Sequence, residues 1–243
     1  MLAEETPVAL VYGGSTEAVL MATPDDLEDF AIGFSLTEGL IESPEDVAEL
    51  TVVHSQDGIE LRMWLHGSTE TAYRRRRRRL AGPTGCGLCG IESLSEAVRP
   101  ARRITAGGSF ALRFVAEALE LLTAAQNLNR ATRATHAAGF VRPGQGLIAI
   151  REDVGRHNAL DKLAGSLRRN NLPSENGAVV VTSRVSVEMV QKASVIGAPL
   201  LIGMSAPTAL AVRTAAAAGL TLVALARADS CQVFAGAERL ALA

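Results

Sequence analysis

Apolar residues from Val8 to Tyr12 and again from Ala18 to Met21 flank Gly13 and Gly14, which predicts two short strands around a glycine turn. Thr23-Pro24-Asp25-Asp26 then offers a cap hydroxyl, a proline at the first helical position and an acid three residues after the cap. Leu27, Phe30, Ala31, Phe34 and Glu38 follow at helical spacing, and Gly39 is placed to end that helix in a left-handed conformation. Ile59, Leu61, Met63 and Leu65 alternate with Glu60, Arg62, Trp64 and His66, the period of a half-buried strand. Phe110, Phe114, Leu119 and Leu122 predict an amphipathic helix over 110–122.

From about residue 135 the pattern becomes an alternation of apolar strands (146–150, 178–182, 199–203, 220–226) with helices, two of which end at Gly197 and Gly219. Strands apolar on both faces and separated by one helix each predict a mostly parallel sheet, covered by helices on both sides. Right-handed crossovers then bring the loops that follow the strands to one edge, where ligands usually bind. No long linker interrupts the chain. The organisation read from the pattern is a smaller α+β subdomain over residues 1–80 and an α/β domain over 81–243, with Arg74 to Arg79 read as a solvated charged loop or a docking surface.

Of the 243 residues, 48% are hydrophobic and 21% charged, which excludes a mainly disordered or collagen-like chain. The 24 basic residues stand against 26 acidic ones, so no nucleic-acid partner is expected over the bulk of the surface. All of the basic residues except Lys162 and Lys192 are arginine, the side chain suited to bidentate phosphate recognition. Three cysteines and an opening MLAEETPVAL without a basic, apolar export signal predict a reducing, cytoplasmic setting. The apolar stretches are too short to span a hydrocarbon core of ~30 Å, so no membrane insertion is expected.

The densest local signal is Gly85-Cys86-Gly87-Leu88-Cys89-Gly90. A CxxC pair can bind one metal, exchange disulfides or set a reactive thiol beside a resolving one. Ile91, Leu94 and Val98 share a helical face, which places the cysteines near a helix N-terminus, where thiolate is favoured over thiol. The plain alternative is two ordinary buried cysteines, which glycine on every side makes poor core packing. A zinc site would need Cys231 with His136 or His157, at irregular spacing, and no metal is expected. A hydrolytic deaminase would need a glutamate two residues after His136, where Ala138 stands.

Arg151-Glu152-Asp153-Val154-Gly155-Arg156-His157-Asn158-Ala159-Leu160-Asp161-Lys162 lies at a strand–loop–helix junction, where a pocket is expected. There His157 is the acid/base candidate, and Asp153 and Asn158 serve turns and caps equally well. Ser183 and Arg184 follow the next strand, and Arg227 and Asp229 follow the last, so the loops together describe a cleft for a phosphate-bearing ligand.

The stretches TPDDLEDFAIGFSLTEGLI, GCGLCG, THAAG, REDVGRHNALDK, SRVSVEMVQKA and SAPTALAVRTAAAAGLTLVALAR, in this order through nearly the whole chain, resemble the FdhD family of formate dehydrogenase accessory sulfurtransferases. The resemblance implies a three-layer αβα, cytidine-deaminase-like α/β fold with a smaller additional domain, and a homodimer. It implies a sulfurtransferase that accepts sulfane sulfur from a cysteine desulfurase as a persulfide, with Cys86 and Cys89 as the sulfur-handling thiols. The acceptor would be the molybdenum cofactor, bis(molybdopterin guanine dinucleotide), bound as substrate and destined for formate dehydrogenase. Its site would include Leu225, Ala226, Arg227, Ala228, Asp229 and Ser230, supported by His136, His157, Ser183 and Arg184. The rival implied role is a non-catalytic chaperone that carries and inserts the cofactor; a thiol–disulfide oxidoreductase has no need of so many polar loops.

Overall fold

The turn at Gly13 and Gly14, both at positive φ, reverses the chain between β1 (Thr6–Tyr12) and β2 (Ser15–Ala22), which pair antiparallel. The computed structural model describes residues 1–80, 99–105 and 107–241, and for residues 75–80 the backbone alone. Cys86 and Cys89 therefore lie outside the described residues. The alternating run forms β4 (Ile59–Leu65), parallel to β1, while β3 (Val47–His54), a strand the pattern did not reveal, closes a four-stranded sheet of order β2-β1-β4-β3. Val8, Leu10, Tyr12, Leu61 and Met63 project from its inner face onto α1 (Leu27–Thr37), burying Phe30, Ile32 and Phe34 in one apolar cluster.

Two local expectations are corrected. Thr23 does not cap α1: the helix begins after Asp26, held at φ 53, and Thr23 is drawn into contacts with distant residues instead. The arginine run is not a loop but belongs to α2 (Gly67–Leu80), where arginine is a good helix former and Glu70 pairs with Arg74 one turn on at 2.6 Å.

The larger sheet also departs from the mostly parallel arrangement expected. Its order is β11-β10-β9-β8-β6-β7, and only β8 (Ala178–Val181), β9 (Leu200–Gly203) and β10 (Thr221–Ala224) run parallel. β6 (His136–Arg142) turns back through Gly144 and Gly146 into β7 (Gly146–Asp153), and so short a connection permits only antiparallel pairing. β6 lies antiparallel to β8 as well, and β11 (Gln232–Ala235) returns antiparallel on β10. β5 (Phe110–Ala111) and β12 (Leu240–Ala241) form a separate two-stranded pair.

Helices cover both faces and make the three-layer αβα arrangement. α3 (Arg113–Ala125), followed by the short α4 (Asn127–Thr132), packs Phe114, Val115, Leu119 and Leu122 on Ala137, Val180, Ile202 and Val223. On the other face α5 (Arg156–Arg169), α6 (Val187–Ile196) and α7 (Ala209–Ala218) bury Leu160, Leu163, Met189, Val190 and Ala215 against Phe140, Val179, Leu201 and Leu222.

The N-terminal unit joins this body through the crossing of α1 and α5. Cβ atoms built at Gly33 and Gly165 would stand 1.7 Å from the Asp161 carbonyl oxygen and 1.9 Å from that of Asp29, so the backbones meet at a distance that only glycine allows. Gly33→Ala is expected to cost about 3 kcal/mol or more, read as a lowered denaturation midpoint, because overpacking here must separate two helices. Gly67→Ala, with open space around its Cβ, should leave the midpoint nearly unchanged.

Candidate functional site

The carboxyl ends of β7, β8, β9 and β10 and the amino end of β6 share one edge of the large sheet, since His136 pairs with Asp153 and Ala138 with Val181. Thr182 fastens this edge: its hydroxyl accepts from the Ala137 amide at 3.0 Å, and its own amide donates to the Ala137 carbonyl at 3.1 Å. Two clefts open among these loops and the elements beside them.

The first cleft, of about 460 Å³, lies between the N-terminal unit and the large sheet. Its lining mixes apolar side chains (Leu20, Met21, Phe34, Val154) with His136, Arg156 and His157 and with charged groups of both signs, among them Arg99 and Lys192 and the carboxylates of Glu38, Asp161 and Glu188. His157 Nε2 lies 3.2 Å from a Glu188 carboxylate oxygen. Burial, with help from Arg156, holds the His136 pKa below the ordinary histidine value against the pull of Asp153. His157 is likewise lowered by burial, opposed by Glu188 and reinforced by Arg156 and Lys192. Both imidazoles are therefore neutral near pH 7.

The frame beneath this cleft is a chain of buried polar contacts made by the segment that looked most like a site. Asp153 accepts from the amides of Thr23 at 3.0 Å and Gly155 at 2.7 Å, from Asn158 Nδ2 at 3.0 Å and from Lys162 Nζ at 2.6 Å. Asn158 also donates to the Met21 carbonyl and Lys162 to the Thr23 carbonyl, both at 2.8 Å. Asp161 accepts from Thr37 at 2.6 Å and from Lys192 Nζ at 2.8 and 3.0 Å, and Lys192 reaches Glu38 at 2.9 Å. Asp153, Asn158, Asp161 and Lys162 thus tie α5 to β2 and α1. Burial alone would lower the Lys192 pKa, but Asp161 and Glu38 outweigh it and hold the ammonium above the ordinary lysine value.

The second cleft, of about 640 Å³, is lined by Leu112, Arg113, Val115, Ala116, Arg227, Ala228, Asp229, Ser230 and Cys231. It is shaped by the chain leaving β10. Leu225 sits at φ 50, and its amide donates to Ser205, while the amide of buried Ala226 donates to Gly203. The Arg227 amide donates to Ser230 at 2.7 Å, closing a turn, and its guanidinium donates to the carbonyls of Met204 and Ala226. Ser230 Oγ lies 3.0 Å from Asp229 Oδ1. Arg113 enters from the first turn of α3, far away in sequence.

The structure therefore divides the expected site residues. His136 and His157 belong to the first cleft and Arg227 to Ser230 to the second. Ser183 is buried with its hydroxyl on the Arg184 carbonyl at 3.0 Å, Arg184 is exposed, and neither is among the lining residues of either cleft. Cys231 lines the second cleft and the histidines the first, so the paper combination for zinc does not come together; burial pushes the Cys231 thiol up. Arg99, Glu188, Lys192 and Arg113 are lining residues that the sequence does not single out: Glu188 and Lys192 share the stretch SRVSVEMVQKA, but only the course of the helix shows that both face the cleft, and Arg99 and Arg113 sit in no motif.

Lys192→Met is expected to destabilise the protein by about 3–5 kcal/mol at pH 8 by leaving Asp161 as a buried, unpaired charge. In that variant the Asp161 pKa rises well above its unfolded value, so the loss should shrink as pH falls and the carboxyl protonates in the folded state. Chemical denaturation of parent and variant at pH 8 and pH 5 checks both the size and the sign.

Among the described residues, no helix is long and apolar enough to cross a membrane. The family model described as FdhD/NarQ matches residues 3–241. The chain is 51% identical over 240 residues to the sulfur carrier protein FdhD of Agrobacterium fabrum, covering 98% of this chain and 89% of that one. It is 53% identical over 232 residues to the protein of the same name from Brucella abortus, covering 95% and 86%. A crystal structure described as a formate dehydrogenase accessory protein from Desulfotalea psychrophila superimposes with a TM-score of 0.77 at 26% identity, over 99% of this chain and 90% of that one. With the match running through both the small sheet and the large one, this chain belongs to the FdhD/NarQ family.

Proposed function

We propose that the protein is a sulfur carrier that receives sulfane sulfur from a cysteine desulfurase and delivers it to the molybdenum of bis(molybdopterin guanine dinucleotide), bound as substrate, for the benefit of formate dehydrogenase. The relatives named sulfur carrier protein and the accessory protein of similar fold support this reading. The observation that carries it is the Arg227 cleft: two arginines from distant segments, Arg113 and Arg227, beside Asp229 and Ser230 on a turn closed by a backbone hydrogen bond. Guanidinium groups receive phosphates, and a carboxylate accepts from the amino and imino groups of a guanine base. The protein would act as a homodimer.

The chemistry falls to Cys86 and Cys89. The Cys86 thiolate attacks the outer sulfur of the donor persulfide; a new S–S bond forms on Cys86, the donor S–S bond breaks, and the donor leaves as its thiolate. Delivery as sulfide needs two electrons, which attack of the Cys89 thiolate on Cys86 Sγ supplies. The outer sulfur leaves as hydrosulfide for the metal, and a Cys86–Cys89 disulfide remains for an external thiol to reduce. The groups of the Arg227 cleft would hold the cofactor's nucleotide end during this exchange.

Intact mass spectrometry after incubation with a cysteine desulfurase and cysteine tests the first step. Parent protein should gain about 32 mass units, reversibly with reductant, and Cys86→Ala should gain none. If no sample gains sulfur while the desulfurase is shown to be active, the carrier reading fails and cofactor carriage by a non-catalytic chaperone takes its place.

A further inference from the structure

We infer that α2 is the docking element for the sulfur donor: the run Arg74 to Arg79 receives an acidic face of the protein that brings the persulfide and holds it within reach of Cys86. The inference rests on the carrier reading and deepens it by assigning the surface on which that partner lands and the charge the partner presents.

The first half of α2 is fixed to the small sheet. Tyr73 is buried, its ring centroid lies 5.2 Å from that of Tyr12, and its hydroxyl donates to Glu17 at 2.8 Å. Thr69 donates to Asp46 at 3.1 Å, and Glu70 lies so close to the glycine turn that a Cβ at Gly13 would stand 2.9 Å from its carboxylate oxygen. Residues 67–74 therefore set the axis of the helix, and its backbone continues from there to Leu80. Successive helical positions are turned by about 100°, so six arginines in a row occupy every side of that axis.

Stability does not account for such a run. Cations are favoured at the C-terminal end of a helix only within the last turn, which covers part of the run and no more. Like charges three and four residues apart repel, and from Thr71 to Ile91 the sequence holds no acid to offset them. The run works against its own helix, as a surface kept for an oppositely charged partner does.

Three observations select the partner. Six of the 24 basic residues stand here, which leaves 18 against 26 acidic ones in the other 237 residues. A positive island on an otherwise acidic chain is a poor match for nucleic acid, which is held over a broad basic surface. A small phosphate ligand needs a concave site, and neither cleft takes a lining residue from α2 among the described residues. An acidic protein face, in contrast, fits a helix that is basic on all sides. The sulfur donor is the protein that has to come to this place, because Arg79 stands seven residues before Cys86, at most about 25 Å of extended chain. Complementary charge beside the thiol speeds encounter and sets orientation, while the transfer itself stays with Cys86.

The test is the initial rate at which the full chain gains sulfane sulfur from a cysteine desulfurase and cysteine, followed by intact mass at low and high salt. Parent protein is compared with a variant carrying Arg75→Gln, Arg76→Gln, Arg77→Gln, Arg78→Gln and Arg79→Gln. Glutamine is a good helix former, and a second variant with lysine at the same five positions separates charge from the integrity of the helix. Inorganic polysulfide, used at high salt where steering is screened, is a donor that needs no docking. At about 20 mM salt the glutamine variant should load from the desulfurase about tenfold or more slowly than the parent, and the lysine variant within about threefold of it. At about 500 mM salt the advantage of the parent should shrink to about twofold or less, and all three proteins should load from polysulfide at rates within about twofold of one another. A glutamine variant that keeps the parent's rate and salt dependence, an advantage that persists at high salt, a lysine variant as slow as the glutamine one, or equal slowing with polysulfide would overturn the inference. So would duplex DNA binding that is lost in the glutamine variant while loading is unchanged. A parent that gains sulfur from neither donor ends the carrier reading and this inference together, whereas normal loading without charge dependence ends this inference alone.

Discussion

The contact on which the rest of the molecule depends is the crossing of α1 and α5 at Gly33 and Gly165. Because these backbones touch, side chains one turn away on each helix are forced to meet, and the sequence supplies polar ones: Thr37 with Asp161, and Asp29 with Arg169, while Arg151 of β7 reaches Asp29 as well. A buried ion left unmatched is severely destabilising, so each of these groups is matched across the seam. The small sheet is thereby fixed against the large one, and the histidine cleft is the space left open beside that seam. Stability and site are products of the same packing.

Both clefts are bounded by loops that leave or enter the strands of one sheet, and the sheet keeps those loops in register. The Arg227 turn is held through Met204, Ser205 and Gly203 to the neighbouring strand, so its geometry does not wait for a ligand. Under the proposed function, a carrier that presents one atom to a bound cofactor would gain from this pre-organisation, because a loosely held acceptor would lose the alignment that makes transfer fast.

Much of this was legible in the chain itself, and the gaps have physical causes. Period-two alternation marked β4, and apolar runs ending at Gly197 and Gly219 marked the helices of the large domain. β6 went unseen because its sequence, HAAGFVR, is rich in small residues, although the following glycines carried the hairpin signal that makes the sheet mixed. Thr23 looked like a cap because local sequence does not reveal Val154 and Lys162, which claim it across more than 130 residues. The motif Arg151 to Lys162 does mark a functional edge, yet most of its polar residues, Arg151, Asp153, Asn158, Asp161 and Lys162, build the seam. Arg113 and Arg227 share a cleft only through the course of α3 over the sheet, which no local pattern encodes.

The central claim is that sulfur passes through this protein to a bound molybdenum cofactor, and radiolabel transfer tests it most directly. Protein loaded with ³⁵S from labelled cysteine and a cysteine desulfurase, then freed of both, would be mixed with bis(molybdopterin guanine dinucleotide) molybdenum cofactor and the cofactor re-isolated. The account predicts that label leaves Cys86 and appears on the cofactor in proportion, and that Arg227→Gln slows this transfer without reducing the initial loading. Label that remains on the protein while the cofactor binds would contradict it.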